Sequence, residues 1–463
     1  MRRQGCTLLL LLLGCLSGTL GDLITTETYA GCDTAACKLP GCLCPANSPP
    51  GNLTADQIPQ FVLISHDNAL DGLPYDLMMK LIGNKTQGNG CPVPVTWFAM
   101  RYHSNCENGV AAIARGDEVA MQANRFAPTD PFTATDPNPN YDSRDPVTGE
   151  PSVEREIAMS REWWNQTCKL PLHDMVGFRA QGYNNNPPVR EALEKNGWLY
   201  DSTLPERYYS TSPTSPSVGK MLWPYTMDYG IPQECNFWGD EVGKCTAAEK
   251  YPGLWEVPLY FLQDGDKLYG GSDYGNTELD GMPEIPDMEA MLKSQLDQRL
   301  EAGRTPLAIN TFYEWLSEKP EDPPADDPKC IFCVRAPSEN GLALADFIDY
   351  AMAKPEVRFI TYSDFVRWMQ DPVPLDQFDE WVKCKVPGVK ADLSAVNLPT
   401  TDKAGAFYLE GSAVAGAPAP TANEGIVGAA EPPTAAPVPE AKGSDDTDNA
   451  LSPSLGRRLR RMV

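Results

Sequence analysis

One stretch decides how this 463-residue sequence is interpreted: Phe61-Val62-Leu63-Ile64-Ser65-His66-Asp67-Asn68-Ala69. Four apolar residues are followed by polar ones, and a helical pattern then runs over Asp71–Lys80. A short apolar run of this kind predicts a buried strand that ends in a loop. Proteins of the α/β class place their chemistry where strands end and helices begin. We therefore expect functional residues at strand ends, with Asp67 among them.

Apolar runs and helical patterns alternate over most of the chain. The apolar runs are Phe61–Ile64, Val93–Ala99, Glu118–Ala123, Met175–Phe178, Leu199–Tyr200, Leu254–Pro258, Pro306–Ile309 and Val357–Ile360. The helical patterns are Asp71–Lys80, Asn108–Arg115, Val153–Trp164, Pro188–Asn196, Met288–Ala302 and Leu342–Ala353. This alternation predicts parallel strands in an α/β fold, either a (β/α) barrel or a doubly wound sheet. The polar stretches 127–152, 205–250 and 264–285 are interpreted as insertions in surface loops.

Charge and the N-terminus limit the possible partners. The formal net charge is −25 and the pI about 4.5, which argues against binding to the phosphates of a nucleic acid. The first 21 residues have a basic start, an apolar centre and a small-residue end, which is typical of a secretory signal peptide. A bacterial lipoprotein signal around Cys15 is the alternative. No other stretch is long and apolar enough to span a membrane.

The cysteines agree with secretion. Of the fourteen cysteines, twelve remain once Cys6 and Cys15 are removed with the leader. An even number in a secreted chain predicts disulfides. Zinc binding by the N-terminal cluster remains an alternative, that cluster being Cys32, Cys37, Cys42 and Cys44. A Cys235–Cys245 loop is expected, and Asn52, Asn84 and Asn165 begin possible N-glycosylation motifs.

We divide the chain into four segments. A signal peptide (1–21) precedes a cysteine-rich segment (22–58), a barrel domain (59–386) and a tail (387–463). The tail is rich in Ala, Pro and Gly and poor in large apolar residues, so we expect it to be disordered.

Several motifs occur in an order that resembles one known family. They are Cys37–Cys44 followed by Pro50-Gly51, the strand entered through Pro59-Gln60-Phe61, Tyr251–Pro258, and Trp368-Met369 with Pro372–Leu375. From about Cys32 to Cys384 the chain resembles chitin deacetylase-like proteins of the NodB-type polysaccharide deacetylase family (carbohydrate esterase family 4). The resemblance implies a distorted (β/α) barrel that removes acetyl groups from N-acetylated sugars. It also implies a zinc ion held by one Asp and two His, a second Asp as base and a separate His as acid.

The residues at these family positions are largely replaced in this sequence. The base position holds Asp67, and the third motif retains Arg179, which the resemblance implies would position that base. The three metal positions hold Asn68, Gln122 and Phe126, and the acid position holds Phe312. Amides are poor zinc ligands and phenylalanine offers none.

The histidine count leads to the same expectation. The chain has three histidines, His66, His103 and His173, and none occupies a family position. His66 adjoins Asp67, so within a strand the two side chains would point to opposite faces. A rebuilt metal site from Asp67, Asp117 and Gln122 is the alternative.

Three functions remain open from the sequence. The first is a secreted, catalytically inactive protein without a cofactor that binds chitin or another N-acetylated glycan. Its candidate sugar-contacting residues are Tyr183, Trp255, Trp315, Phe126 and Phe312, although each is also a plausible core residue. The second is an active metal-dependent deacetylase with a rearranged site, so whether the chain is an enzyme stays undecided. The third is a structural or partner-binding protein.

Overall fold

The computed structural model describes residues 31–382 except 52, 102–103, 123–151, 181–182, 184–185, 207–220, 234–244, 246–247, 265–266, 270–284, 286 and 319–335. The predicted signal peptide and tail lie outside the described residues. So do Phe126, His103, Asn52 and Cys235, on which other predictions fall.

The described chain contains thirteen strands and nine α-helices. The strands are β1 (Gln60–Ala69), β2 (Thr96–Met100), β3 (Glu118–Gln122), β4 (Gly177–Arg179), β5 (Tyr200–Asp201), β6 (Pro205–Glu206), β7 (Tyr225–Thr226), β8 (Trp255–Glu256), β9 (Leu259–Tyr260), β10 (Leu262–Asp264), β11 (Lys267–Tyr269), β12 (Leu307–Thr311) and β13 (Val357–Phe359). The helices are α1 (Gly72–Ile82), α2 (Cys106–Arg115), α3 (Ser152–Gln166), α4 (Pro187–Lys195), α5 (Met288–Glu301), α6 (Tyr313–Leu316), α7 (Glu339–Met352), α8 (Tyr362–Gln370) and α9 (Leu375–Val382).

The main sheet is a curled half-barrel of nine strands. Its order is β12-β1-β2-β3-β4-β5-β8-β7, and β13 also pairs with β1. Every pair from β12 to β8 is parallel, and only the edge strand β7 runs antiparallel to β8. The parallel α/β fold predicted from the alternation and the distorted barrel implied by the resemblance are therefore confirmed.

Side chains alternate between two buried layers along the central strand β1. Phe61 and Leu63 point into the barrel interior, where they join a cluster with Phe98 and Trp368. Val62 and Ile64 point outward and pack in the cluster formed with the surrounding helices. Both faces of the strand are buried, which explains why its sequence is continuously apolar.

Local capping fixes where the helices after the strands begin. Asp71 accepts a hydrogen bond from the Leu73 backbone N–H at the start of α1, and Asn105 accepts one from Asn108 at the start of α2. Helix α2 ends at Gly116, whose φ of 104° lies in the left-handed region that glycine adopts without strain. The caps fix where α1 and α2 begin, and the turn at Gly116 leads the chain from α2 into β3.

The cysteine-rich segment packs against the barrel. Disulfides join Cys32 to Cys44 and Cys37 to Cys42, so the zinc alternative for this cluster is wrong. The Thr226 backbone N–H donates to the carbonyl of Leu43 at 3.0 Å, next to edge strand β7. Leu39, Leu43 and Leu53 pack on the interior cluster.

Further along the chain, Cys106 is bonded to Cys168. The stretch 205–250 differs from the loop predicted for it, because β6 and β7 lie within it and β7 extends the main sheet. In the part of the chain that the structure describes, no helix has the length and apolar character needed to cross a bilayer.

Candidate functional site

Parallel pairing brings three of the predicted site residues to one end of the sheet. Asp67 is near the end of β1, Gln122 ends β3 and Arg179 ends β4. Gln122 and Arg179 are paired in register on neighbouring strands. Asp67 lies two residues beyond Ser65 and four beyond Leu63, so all three side chains share the inward face of β1.

A buried ion pair joins Asp67 and Arg179. The distance from Arg179 Nη1 to Asp67 Oδ1 is 2.7 Å, and the side chains are 0% and 6% exposed. Burial raises the pKa of the Asp67 carboxyl, while the charge and hydrogen bond of Arg179 oppose that rise. The other Asp67 oxygen has no hydrogen bond to the described residues, so it remains an acceptor beside the strand ends.

The guanidinium of Arg179 is held from several sides. Its Nε donates to the carbonyl of Ser202 at 2.9 Å, Nη1 also donates to Ser65 Oγ, and Nη2 donates to the hydroxyls of Ser202 and Tyr362. The guanidinium carbon Cζ of Arg179 lies 3.8 Å from the centre of the Phe98 ring. A cation over an aromatic face in a buried position is a favourable arrangement. Arg179 therefore fixes the orientation of Asp67 and has little freedom of its own.

Asn68 and Gln122, at two of the family's metal positions, interact with each other. Gln122 Oε1 accepts the backbone N–H of Asn68 at 3.1 Å, and the Gln122 side chain is buried. Asn68 has a φ of 86°, a left-handed conformation that Asn tolerates better than most residues. The only side-chain oxygen of Gln122 is thus used within the fold.

His66 lies on the opposite face from Asp67. Its ring is 5.2 Å from that of Trp97 in the helix-facing layer and is 2% exposed. The Thr311 hydroxyl donates to the carbonyl of Ser65, so it accepts a hydrogen bond from His66 Nδ1–H at 2.9 Å. Burial lowers the pKa of His66 to about 3, which keeps the ring neutral. His66 is a core residue and does not approach Asp67.

Four of the five candidate sugar-contacting residues are described, and all four are buried. Phe312 (5% exposed) and Trp315 (2%) pack with the helix-facing cluster, and Trp255 (1%) lies in the barrel interior. Tyr183 (7%) follows β4 with a φ of 56°, and its hydroxyl raises the pKa of Arg179. Phe126 lies outside the described residues, and a role in sugar contact stays a prediction for all five.

The residues present do not fit a zinc ion of the family type. Gln122 already uses its oxygen, Asn68 offers only an amide, and zinc prefers His, Cys or carboxylate ligands. Within the described ranges, the only group of three His, Cys, Asp or Glu residues able to meet around a metal is Cys32, Cys37 and Cys44. These three cysteines are all bound in disulfides.

The alternative metal site built from Asp67, Asp117 and Gln122 is ruled out by geometry. Asp117 precedes β3 whereas Gln122 ends it, which places them about 16 Å apart along an extended strand. Asp117 instead accepts hydrogen bonds from the Val95 backbone and the Trp97 indole.

Sequence reasoning did not find the residues that hold Arg179. Ser65 could have been found, because it lies two residues before Asp67 and alternation places both on one face. Phe98, Ser202 and Tyr362 come from distant parts of the chain, and no local pattern connects them to Arg179.

Comparison with known proteins finds two similar chitin deacetylases. Over 373 residues the chain is 24% identical to Chitin deacetylase 1 of Bombyx mori, covering 77% of this chain and 60% of that relative. Over 392 residues it is 22% identical to Chitin deacetylase 8 of the same organism, covering 83% of this chain and 88% of the relative. These similarities support a chitin deacetylase-like protein of the NodB-type polysaccharide deacetylase family. The chain spans less than two thirds of the first relative's length.

The other comparisons add little to this deacetylase-like assignment. No family model matches the chain. A solved structure named "putative polysaccharide deacetylase from Mycobacterium smegmatis" superposes with a TM-score of 0.39 at 15% identity, covering 72% of this chain and 95% of that one.

Proposed function

We propose that this deacetylase-like chain binds an N-acetylated glycan, such as chitin, and does not catalyse deacetylation by the family's zinc mechanism. The observation that carries the proposal is the hydrogen bond between Gln122 Oε1 and the Asn68 backbone, because it occupies a ligand position with a structural contact. Phe312 stands at the acid position. The chain therefore lacks both the side chains that would bind the family's metal and the side chain that would act as the acid.

A binding role remains consistent with the strand ends. Asp67 is held rigidly by Arg179 and keeps one oxygen that can accept a hydrogen bond from a sugar hydroxyl or amide. A pre-oriented acceptor loses little freedom on binding, which favours affinity. Tyr183 is the candidate aromatic contact that interacts electrostatically with Arg179, because its hydroxyl raises the pKa of that guanidinium.

We also propose that the chain is secreted and glycosylated. The signal-like first 21 residues, the disulfides and the names of the curated relatives support this proposal. The acidic surface and low content of clustered basic residues agree with an extracellular or cell-wall partner that is not a nucleic acid.

One paired measurement on the full secreted chain tests the function. Calorimetry with an N-acetylglucosamine hexamer should show saturable binding that is weakened in Asp67→Asn and unchanged in His173→Ala, where the side chain is 81% exposed. The same preparation, supplied with zinc or cobalt, should release no acetate. Acetate release that a chelator and Asp67→Asn both abolish would restore the alternative of an active, rearranged deacetylase. Absence of binding to any N-acetylated glycan would favour a purely structural protein.

The aromatic contacts need their own variants. If Tyr183 contacts the glycan, Tyr183→Ala should weaken binding, while His173→Ala at an exposed position should leave it unchanged. Replacing Phe312 and Phe126 by His, and Trp255 and Trp315 by Phe, tests the other four aromatic positions, because a loss of affinity is expected only if these rings contact sugar.

A further inference from the structure

Two buried carboxyl groups lie side by side away from the Asp67 site. Asp201 of β5 and Glu256 of β8 are paired in register on neighbouring parallel strands, and both are 0% exposed. Phe178 and Tyr225, which pair in register with them, belong to the helix-facing cluster, so both carboxyls point out of the barrel interior. In-register side chains on one face of a sheet start about 5 Å apart, within reach of each other.

Each carboxyl group has one oxygen with a donor and one without. The Thr203 hydroxyl is bonded to Asp201 Oδ1, and the Leu204 backbone N–H donates to Glu256 Oε1 at 3.0 Å. Asp201 Oδ2 and Glu256 Oε2 are buried and have no hydrogen-bond partner among the described residues. Buried polar atoms without partners are unfavourable and rare. One proton placed between these two oxygens would give both of them a partner.

The surroundings supply too little positive charge for two carboxylates. Arg190 of α4 faces the pair but forms an ion pair with Glu249 at 2.7 Å, and Arg179 forms one with Asp67. Three other ionisable groups approach from neighbouring strands, Glu206 of β6, Tyr225 of β7 and Tyr260 of β9, and none adds a positive charge. The two guanidinium groups are therefore outnumbered by five carboxyl groups, and the Arg179–Asp67 pair lies on the opposite face of the sheet from Asp201 and Glu256.

We propose that Asp201 and Glu256 share one proton at neutral pH, which makes the pairing of β5 with β8 dependent on pH. The proton is bound to one carboxyl and donated to the free oxygen of the other, so the pair carries one negative charge. As the pH rises, that proton is lost to solvent, two adjacent buried charges remain, and the folded state is destabilised.

Electrostatics agree with this arrangement and give the direction of the effect. Burial raises the pKa of Asp201 to about 6, and burial together with the charge of Asp201 raises the pKa of Glu256 well above its ordinary value. The steps of titration belong to the pair as a unit. In the unfolded chain both groups are ionised above about pH 5. The folded state therefore holds a proton that the unfolded state does not, and stability falls from about pH 5 upward until the pair is fully ionised.

Replacing Glu256 by glutamine tests the proposal directly. The new amide N–H can donate to Asp201 Oδ2 while the amide oxygen still accepts from Leu204, so the hydrogen bonds are kept without a titrating proton. In urea unfolding of the full chain, Glu256→Gln should match the wild type near about pH 5 and exceed it near about pH 8. The difference in folding constant should grow by up to about tenfold per pH unit, the value for one proton.

Controls separate this pair from other buried acids. Burial raises the pKa values of Glu118 and Glu206 to about 7 and about 8, so the wild-type curve alone contains several titrations. The difference between wild type and Glu256→Gln removes those shared contributions. Glu301→Gln, an exposed position at the end of α5, should leave the curve unchanged.

Infrared spectroscopy gives a second readout that does not depend on the variant's stability. At neutral pH the wild type should show the carbonyl stretch of buried protonated carboxyls, to which Glu118 and Glu206 also contribute. Glu256→Gln should lower this absorption by that of one carboxyl, and equal absorption in the wild type and the variant would overturn the proposal. Two other results would overturn the proposal. One is a Glu256→Gln variant that is destabilised equally at every pH. The other is a wild-type stability that rises with added calcium while that of Glu256→Gln does not, because the pair would then hold a cation and not a proton.

Discussion

The side-chain oxygen Oε1 of Gln122 accepts a hydrogen bond from the backbone N–H of Asn68, with 3.1 Å between the two atoms. Two positions that the family resemblance assigns to metal ligands thus stabilise each other, and the side-chain oxygen of Gln122 serves a structural contact. The contact also supports the left-handed backbone of Asn68 at the point where β1 turns towards α1.

Zinc affinity should appear only when the family ligands are restored. Titration of the wild-type chain with zinc, measured by calorimetry, should give no saturable one-to-one binding, because amide oxygens are weak zinc ligands. The triple variant Asn68→Asp, Gln122→His, Phe126→His should bind zinc. Tight binding by the wild type that Asp67→Ala abolishes would contradict this expectation and would return the metal-dependent reading to first place.

Asn68 should tolerate glycine better than alanine. With a φ of 86°, Asn68→Ala keeps a Cβ in the left-handed region but loses the short polar side chain that lets Asn tolerate it, so we expect a loss of about 1 kcal/mol in unfolding free energy. Asn68→Gly removes the Cβ and should be close to neutral. Urea unfolding of both variants measures the difference, and equal effects would show that the left-handed backbone is not maintained in solution.

The pair of Arg179 and Asp67 should be costly to break from one side. Arg179→Met leaves the Asp67 carboxyl buried without its partner and should lower the unfolding free energy by about 3–5 kcal/mol. Combining it with Asp67→Asn removes the unpaired charge, so the double variant should lose less than the sum of the two single variants. Additive losses in a double-mutant cycle would mean that the two side chains contribute independently.

The central strands were predictable because their physics is local. The run Phe61–Ile64 is buried on both faces in β1, and a continuous apolar run is the signature of such a strand. The placement of His66 opposite Asp67 follows from the same alternation of side chains. The inward position of Ser65, two residues earlier, follows by that rule as well.

The rest of the site depends on contacts between distant segments. Ser202 and Tyr362, which bind Arg179, are 23 and 183 residues away from it in sequence. The buried acids Asp201 and Glu256 come together only through the pairing of β5 with β8. No periodicity within a single segment reports such pairings, so these networks required the three-dimensional structure.

Glycosylation should distinguish two of the three sequence motifs. Asn84 lies in the exposed turn that follows α1, whereas Asn165 is half-buried in α3 with its Nδ2 donating to the carbonyl of Leu170 at 2.7 Å. In a eukaryotic secretory host, the folded chain should carry a glycan at Asn84 and none at Asn165. Thr86→Ala removes the motif at Asn84, and Thr167→Ala removes the motif at Asn165. If Asn52 is unmodified, glycosidase treatment should change the electrophoretic mobility of Thr167→Ala but not that of Thr86→Ala. Peptide mass spectrometry assigns each site. A glycan found at Asn165 in the folded, secreted protein would contradict this expectation.

His66 should make the fold sensitive to acid. Its pKa is lowered by burial to about 3, whereas an unfolded histidine titrates near about 6.5. Between these values the unfolded chain binds a proton that the folded chain does not, so stability falls as the pH drops below about 6.5. The loss approaches about tenfold in the folding constant per pH unit.

His66→Phe keeps an aromatic ring beside Trp97 but cannot titrate. Its stability at neutral pH should be lower, because the bond to Thr311 is lost, while its decline towards about pH 4 should be shallower than that of the wild type by up to one proton. Urea unfolding between about pH 7 and pH 4 measures both slopes, and parallel slopes would mean that His66 is accessible to protons in the folded chain.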